Sequence, residues 1–157
     1  MAEPFEWVLL AYRLPREPST PRITVWRKLK RLGVAQLLDG LVALPADARS
    51  REQLERIADE VAEAGGTATL WVGRPDSAAQ QRAVAAAMAA VVADDYAAVL
   101  VAANEALGAD EAERRRTLAR LGRQLQRIGV RDHFPPPARN AARRAVAQLG
   151  ASVAVPA

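Results

Sequence analysis

The chain has 157 residues, half of them apolar and a quarter charged, enough for one folded core with a smaller appended unit. Its 22 Lys and Arg against 18 Asp and Glu leave a net charge of +4, a basic balance that points to an anionic partner. Cysteine is absent, which excludes disulfides, thiolate metal sites and thiol redox chemistry.

In chain order, Glu6–Tyr12 (EWVLLAY) is apolar on both alternating faces and predicts a central, doubly covered strand. Thr20 as N-cap and Pro21 at the first helical position open a helix to Leu32, closed by Gly33. Val25, Trp26, Leu29 and Leu32 form its apolar stripe. Asp39-Gly40 between apolar flanks predicts a hairpin with a type I′ turn, and Pro45 ends its second strand. Ser50-x-x-Gln53 reads as a capping box for a second helix. Leu54, Ile57, Val61 and Ala64 share one face of that helix, and Gly65-Gly66 stops it. Thr67–Val72 is a fourth strand, ended by Gly73-Arg74-Pro75. The order βαββαβ over residues 1–75 predicts an α+β, ferredoxin-like antiparallel sheet with two helices on one face. A winged helix ranks second, because it needs more helices before its wing than this segment holds.

Residues 76–157 read as a helical segment packed on that sheet. Asp76 or Ser77 caps an Ala-rich helix to about Val92, and a second covers Tyr96–Leu107. Asp110-x-x-Glu113 caps a third reaching Ile128. After the break DHFPPP, Pro137 starts a last helix to Leu149, with Ala151–Ala157 as a frayed tail. A ferredoxin-like sheet leaves one face open while the first strand is apolar on both, so these helices, a second subunit or both must cover it. The longest apolar run, Ala83–Ala93, falls short of the ~20 residues that span a bilayer. The start MAEPFEW lacks a basic-then-apolar signal pattern, so a cytoplasmic protein off the membrane is expected.

Charge is unevenly placed. Residues 13–31 carry seven cations against Glu17, residues 114–144 carry ten Arg against Asp132, and residues 47–63 carry six acids against three Arg. Arg13, Arg16 and Arg22 surround the start of the first helix, whose N–H groups and dipole favour an anion. With the fork geometry of Arg they form a candidate oxyanion site. Arg27, Lys28, Lys30 and Arg31, with no acid among them, form a candidate phosphate-contacting face. In ERRRTLARLGRQLQRIGVR, Leu118, Leu121, Leu125 and Ile128 share a helical face. Asp110→Arg114 and Glu111→Arg115 are i,i+4 pairs, whereas Arg120, Arg123, Arg127 and Arg131 have no local acid. These four either contact phosphate or pair with the acidic helix at Glu52–Glu63. His133 alone makes a poor metal site, and Asp94 and Asp95, adjacent on a helix, face different ways. Phosphate-loop, dinucleotide, nucleophile-elbow and zinc-protease motifs are missing. Neither an enzyme, nor a metal, nor a cofactor is expected.

WVLLAYRLPREPSTPRITVWRKLKRLG, AQLLDGLVALP and GGTATLW together closely resemble the N-terminal region of the chromate-resistance regulator ChrB family. RQLQRIGVRDHFPPP is similar to that family's R-I-x-x-R-D-x-F segment, with His133 where an aromatic residue is common. The resemblance implies a bacterial, chromate-responsive regulator of a chromate-efflux operon; longer members continue into a second domain. The first half is also similar in pattern to the ferredoxin-like domains of phenylacetate-type repressors and of CRISPR spacer-acquisition nucleases. Those nucleases hold a metal on an Asp near the end of the first strand, where this chain has Tyr12 and Arg13.

The leading expectation is a non-enzymatic regulator that binds DNA through its basic helices and senses the chromate oxyanion, with a homodimer as one expected state. The alternatives are an interaction or dimerisation module without DNA binding, or a domain auxiliary to a longer ChrB-type regulator. An enzyme acting on chromate ranks below both, because no thiol reductant exists.

Overall fold

A strand apolar on both faces belongs in the middle of a sheet, and the computed structural model, which describes residues 4–154, has it there. β1 (Trp7–Arg13) lies between β3 (Leu41–Pro45) and β4 (Thr67–Gly73). β2 (Ala35–Leu38) lies beyond β3, and every pair is antiparallel. α1 (Thr20–Leu32) follows β1 and α2 (Ala48–Glu63) follows β3, giving the expected βαββαβ order. Beyond it the described residues form three helices, α3 (Ala78–Ala106), α4 (Glu111–Arg131) and α5 (Ala138–Ala154). The chain divides into two compact units, residues 1–88 and 89–157, and α3 contributes to both.

In the first unit the strands sort their side chains by alternation. Val8, Leu10, Val42 and Leu44 are buried with Val25 and Leu29 of α1 and Leu54, Ile57 and Val61 of α2. Each such burial is worth roughly 1.5–3 kcal/mol, so this face holds the helices to the sheet. Trp7 points to the other face and is also buried. There the fully buried Gln81 of α3 accepts two hydrogen bonds on Oε1, from Trp7 Nε1 at 3.2 Å and from the Phe5 amide at 2.9 Å. The first turns of α3 therefore cover the Trp7 end of the second face.

Local details differ from expectation in instructive ways. Asp39-Gly40 does join β2 to β3, but only Gly40 has positive φ (76°) and no described non-glycine does. A type I′ turn is thus not formed, and the β2–β3 register shifts between Gln36 and Leu38. The turn is instead held against the end of β1: the Tyr12 amide donates to the Gly40 carbonyl at 2.8 Å. A Cβ on Gly40 would lie 2.5 Å from the Tyr12 carbonyl oxygen. At α2 the capping box is Asp47 with Ser50, not Ser50 with Gln53. Asp47 Oδ1 accepts from the Ser50 amide at 2.7 Å, and Ser50 Oγ accepts from the Asp47 amide at 3.0 Å. Both residues are good caps, and a carboxylate one turn earlier adds favourably to the helix dipole. α1 is capped by Ser19 rather than Thr20, without a side-chain bond, and closes on Gly33 as expected.

The two helices expected over 76–107 are one unbroken helix, α3. Asp94-Asp95 contains neither Gly nor Pro, and Arg131 holds Asp95 at 2.7 Å, so nothing interrupts the backbone ladder there. The most apolar 18 residues of α3 have mean hydropathy 1.8, so length and composition alone would let it cross a bilayer. In the structure its Val92, Tyr96, Val99 and Ala103 form a core with Leu121 and Ile128 of α4 and Ala142 and Leu149 of α5. Asp110 caps α4 as expected, accepting from the Glu113 amide at 2.8 Å. α5 continues to Ala154 rather than fraying at Ala151, because Val153 is buried and its carbonyl accepts from Arg115 Nη2 at 3.2 Å. Residues 155–157 of the expected tail lie outside the described residues.

Two outcomes follow from this packing. Tyr96 is 1% exposed and donates to Asp132 Oδ2 at 2.7 Å. Burial first, and the Asp132 carboxylate second, push its phenol up to about 12. A raised folded-state pKa means stabilisation that is complete below about pH 10 and lost as pH rises through about 12, roughly 2–3 kcal/mol in all. A near-UV absorbance titration should show this late ionisation step, and Tyr96→Phe should remove it. Separately, a Cβ on Gly66 would collide with the Arg13 carbonyl oxygen and with Val61, whereas one on Gly73 meets nothing within 4 Å. Thermal melts should show Gly66→Ala costing about 2 kcal/mol or more and Gly73→Ala within about 0.5 kcal/mol of the parent.

Candidate nucleic-acid interface and anion cleft

The helical period decides which arginines of α4 face water. Arg116, Arg120, Arg123 and Arg127 recur at i, i+4, i+7 and i+11 and share one side, opposite Leu118, Leu121, Leu125 and Ile128. All four are exposed, and none forms an ion pair among the described residues. At 1.5 Å per residue the stripe is about 16 Å long. Arg116 was not among the sequence candidates, although its missing acid at i−4 was readable, since Ala112 stands there.

The neighbouring arginines are engaged. Arg115 pairs with Glu111 at 2.8 Å, as expected. Arg114 does not pair with Asp110, whose carboxylate caps the helix; its Nη1 donates to the Ala109 carbonyl at 2.6 Å. Arg131, expected to lack a partner nearby, is held by Asp95 with its side chain 24% exposed. Sequence distance hid that pair, because Asp95 lies on α3.

On α1, Arg27, Lys30 and Arg31 are exposed on one side of the helix. Lys28 sits on the flank facing α2, where Nζ donates to both Glu60 carboxylate oxygens at 2.7 Å. Glu52 and Glu55 pair with Arg56 and Arg51 within α2. Three of the six acids of the negative segment, Glu52, Glu55 and Glu60, are thus paired inside the first unit.

At the end of β1, Arg13 and Arg22 line one cleft of about 670 Å³, together with Tyr12, Trp26, Gln36 and Asp39. Arg13 closes the strand and Arg22 lies in the first turn of α1, so the strand-to-helix junction brings them together. Arg16 is exposed and does not line the cleft. Burial raises the Tyr12 phenol; Arg22 pulls it down and Asp39 pushes it up. Asp39 was read only as a turn residue and Trp26 only as core, yet Trp26 packs on the core and also forms a wall of the cleft.

His133 is half-buried and engaged with its surroundings. Asp94 is exposed while Asp95 is ion-paired, so the two carboxylates do not act together. Among the described residues no group of three His, Cys, Asp or Glu could hold a metal ion.

The family model described as Protein ChrB, N-terminal, matches residues 22–154. The chain belongs to the ChrB N-terminal family. It is 32% identical over 133 residues to Protein ChrB of Cupriavidus metallidurans, covering 82% of this chain and 40% of that relative. The chain therefore spans less than half the length of that relative. No solved structure matches it. Membership associates the chain with chromate resistance, as the resemblance implied. The matched range includes the W-R-K-L-K-R-L-G block at 26–33 and the Arg-rich helix, and it begins after Y-R-L-P-R-E-P.

The sorting of arginines can be measured without any ligand. Arg131→Ala and Asp95→Ala should each lower the unfolding free energy by about 1 kcal/mol, as expected for a partly buried pair. Arg123→Ala should stay within about 0.5 kcal/mol of the parent in the same denaturant titrations.

Proposed function

We propose that this chain is a DNA-contacting, non-enzymatic part of a chromate-responsive transcription regulator. The observation that carries the reading is the acid-free arginine stripe of α4, reinforced by the Arg27–Lys30–Arg31 face of α1. Duplex DNA carries one phosphate per ~1.7 Å of axis, so a stripe about 16 Å long faces many of them. Arg is suited to the task because its fork meets phosphate oxygens two at a time. The paired cations, Lys28 and Arg131, have structural work in this reading, while Arg120, Arg123 and Arg127 contact the backbone.

A second element concerns the cleft. Chromate is a doubly charged tetrahedral oxyanion, so a site for it needs converging donors. Arg13 and Arg22 both line one open cleft near the first turn of α1, which supports direct oxyanion binding there. Arg16, outside the cleft, contributes at most long-range charge.

Anisotropy titration of duplex DNA over a series of salt concentrations tests the first element. Affinity should fall steeply with salt, and Arg120→Ala, Arg123→Ala or Arg127→Ala should each reduce the log–log slope by about one. Arg131→Ala should leave the slope unchanged. Absence of duplex binding even at low salt would end this reading. For the cleft, calorimetric titration with chromate and sulfate competition should show weaker binding in Arg13→Ala and Arg22→Ala than in Arg16→Ala. Equal affinity in all three variants would return these arginines to solvated surface.

A further inference from the structure

The two edges of the sheet are built differently. β2 has only four residues, its pairing with β3 shifts register, and Asp39 follows it directly. Shortness, irregularity and charge are the usual devices that keep an edge from pairing with another chain. β4 has none of them. It pairs with β1 in unbroken register over seven residues, Thr67–Gly73, and TATLWVG contains neither charge nor proline. Along its other side no further strand is bonded among the described residues. Trp71 and Val72, on opposite faces of β4, are 63% and 49% exposed.

We propose that β4 is the seam of a homodimer in which two copies join their sheets edge to edge through an antiparallel β4–β4 pair. The strand is complementary to itself. Pairing centred on Leu70 sets Thr69 opposite Trp71 of the partner subunit and Ala68 opposite Val72 of the partner subunit, so each bulky exposed side chain meets a small one. The reach is sufficient: Trp71 Nε1 already donates to Thr69 Oγ1 at 3.0 Å across an i,i+2 gap, and directly opposed cross-strand residues lie closer than that gap. With no charge in the strand, an acidic or basic partner strand finds no counter-charge there. Arg74, at the end of the seam, is directed to Glu6 of its own chain at 3.9 Å. A second copy is the occupant that fits, and the inference does not rest on DNA or chromate binding.

Sedimentation velocity on the full chain, at tens of micromolar and without DNA, tests this directly. The parent should be a dimer, and Trp71→Lys or Thr69→Glu should each raise its dissociation constant by at least about tenfold. Combining the two substitutions in one chain should restore the dimer, because the introduced glutamate then lies opposite the introduced lysine of the other copy. Leu38→Lys, at the exposed β2 edge, should leave association unchanged. Circular dichroism melts establish that each variant is folded. A monomeric parent, a dimer indifferent to both single substitutions, a dimer broken by Leu38→Lys, or a double variant that stays monomeric would each overturn the proposal.

Discussion

Burial of one stripe of α4 against α3 and α5 is the constraint on which the functional reading depends. Leu121 and Ile128 are fully buried, and the 3.6-residue period then leaves Arg116, Arg120, Arg123 and Arg127 no choice but water. Four guanidinium groups on one side repel one another weakly in solvent and gain most from a polyanion. The same logic holds at α1, where Val25 and Leu29 anchor one side and Arg27, Lys30 and Arg31 remain outside. Packing, rather than composition, separates the solvent-facing cations from the paired ones.

Structural cations are recognised by their partners. Lys28 ties α1 to α2 through Glu60, and Arg131 ties α4 to α3 through Asp95. Pairs this exposed stabilise by at most about 1 kcal/mol each, so their main effect is on which charges stay available. In the first unit, the central position of β1 sets Arg13 beside the start of α1, and the turn held against Tyr12 adds Asp39 and Gly40 to the same cleft. The cleft therefore depends on Gly40, where a side chain would strike the Tyr12 carbonyl.

Much of this was legible in the sequence where the signal is local. The α-carbon path through Gly33, the stop at Gly65-Gly66 and the Asp110 cap are backbone demands met by single residues, and each was read correctly. The apolar character of EWVLLAY on both of its faces placed β1 at the centre. What failed involved competition or distance. Asp47 and Ser50 are both competent caps, and only the path of the chain from Pro45 selects the earlier one. Two helices, ending near Val92 and starting at Tyr96, were expected where α3 runs unbroken; Asp95 between them is held by an arginine 36 residues away. The type I′ turn lost to a bond from the neighbouring strand. Of the candidate site, the periodic arginines and the Arg13–Arg22 junction were visible, whereas the wall that the hairpin adds at Gln36, Asp39 and Gly40 was not.

The central claim is that the unpaired arginines of α4, and not its paired ones, meet DNA. Arginine side-chain Nε–Hε resonances, followed by NMR while duplex DNA is added, test it residue by residue. The account predicts perturbation of Arg116, Arg120, Arg123 and Arg127 together with Arg27 and Arg31, while Arg115 and Arg131 keep their free-protein signals. Signals of the stripe that stay fixed while DNA is bound, or perturbation centred on Arg115 and Arg131, would contradict it.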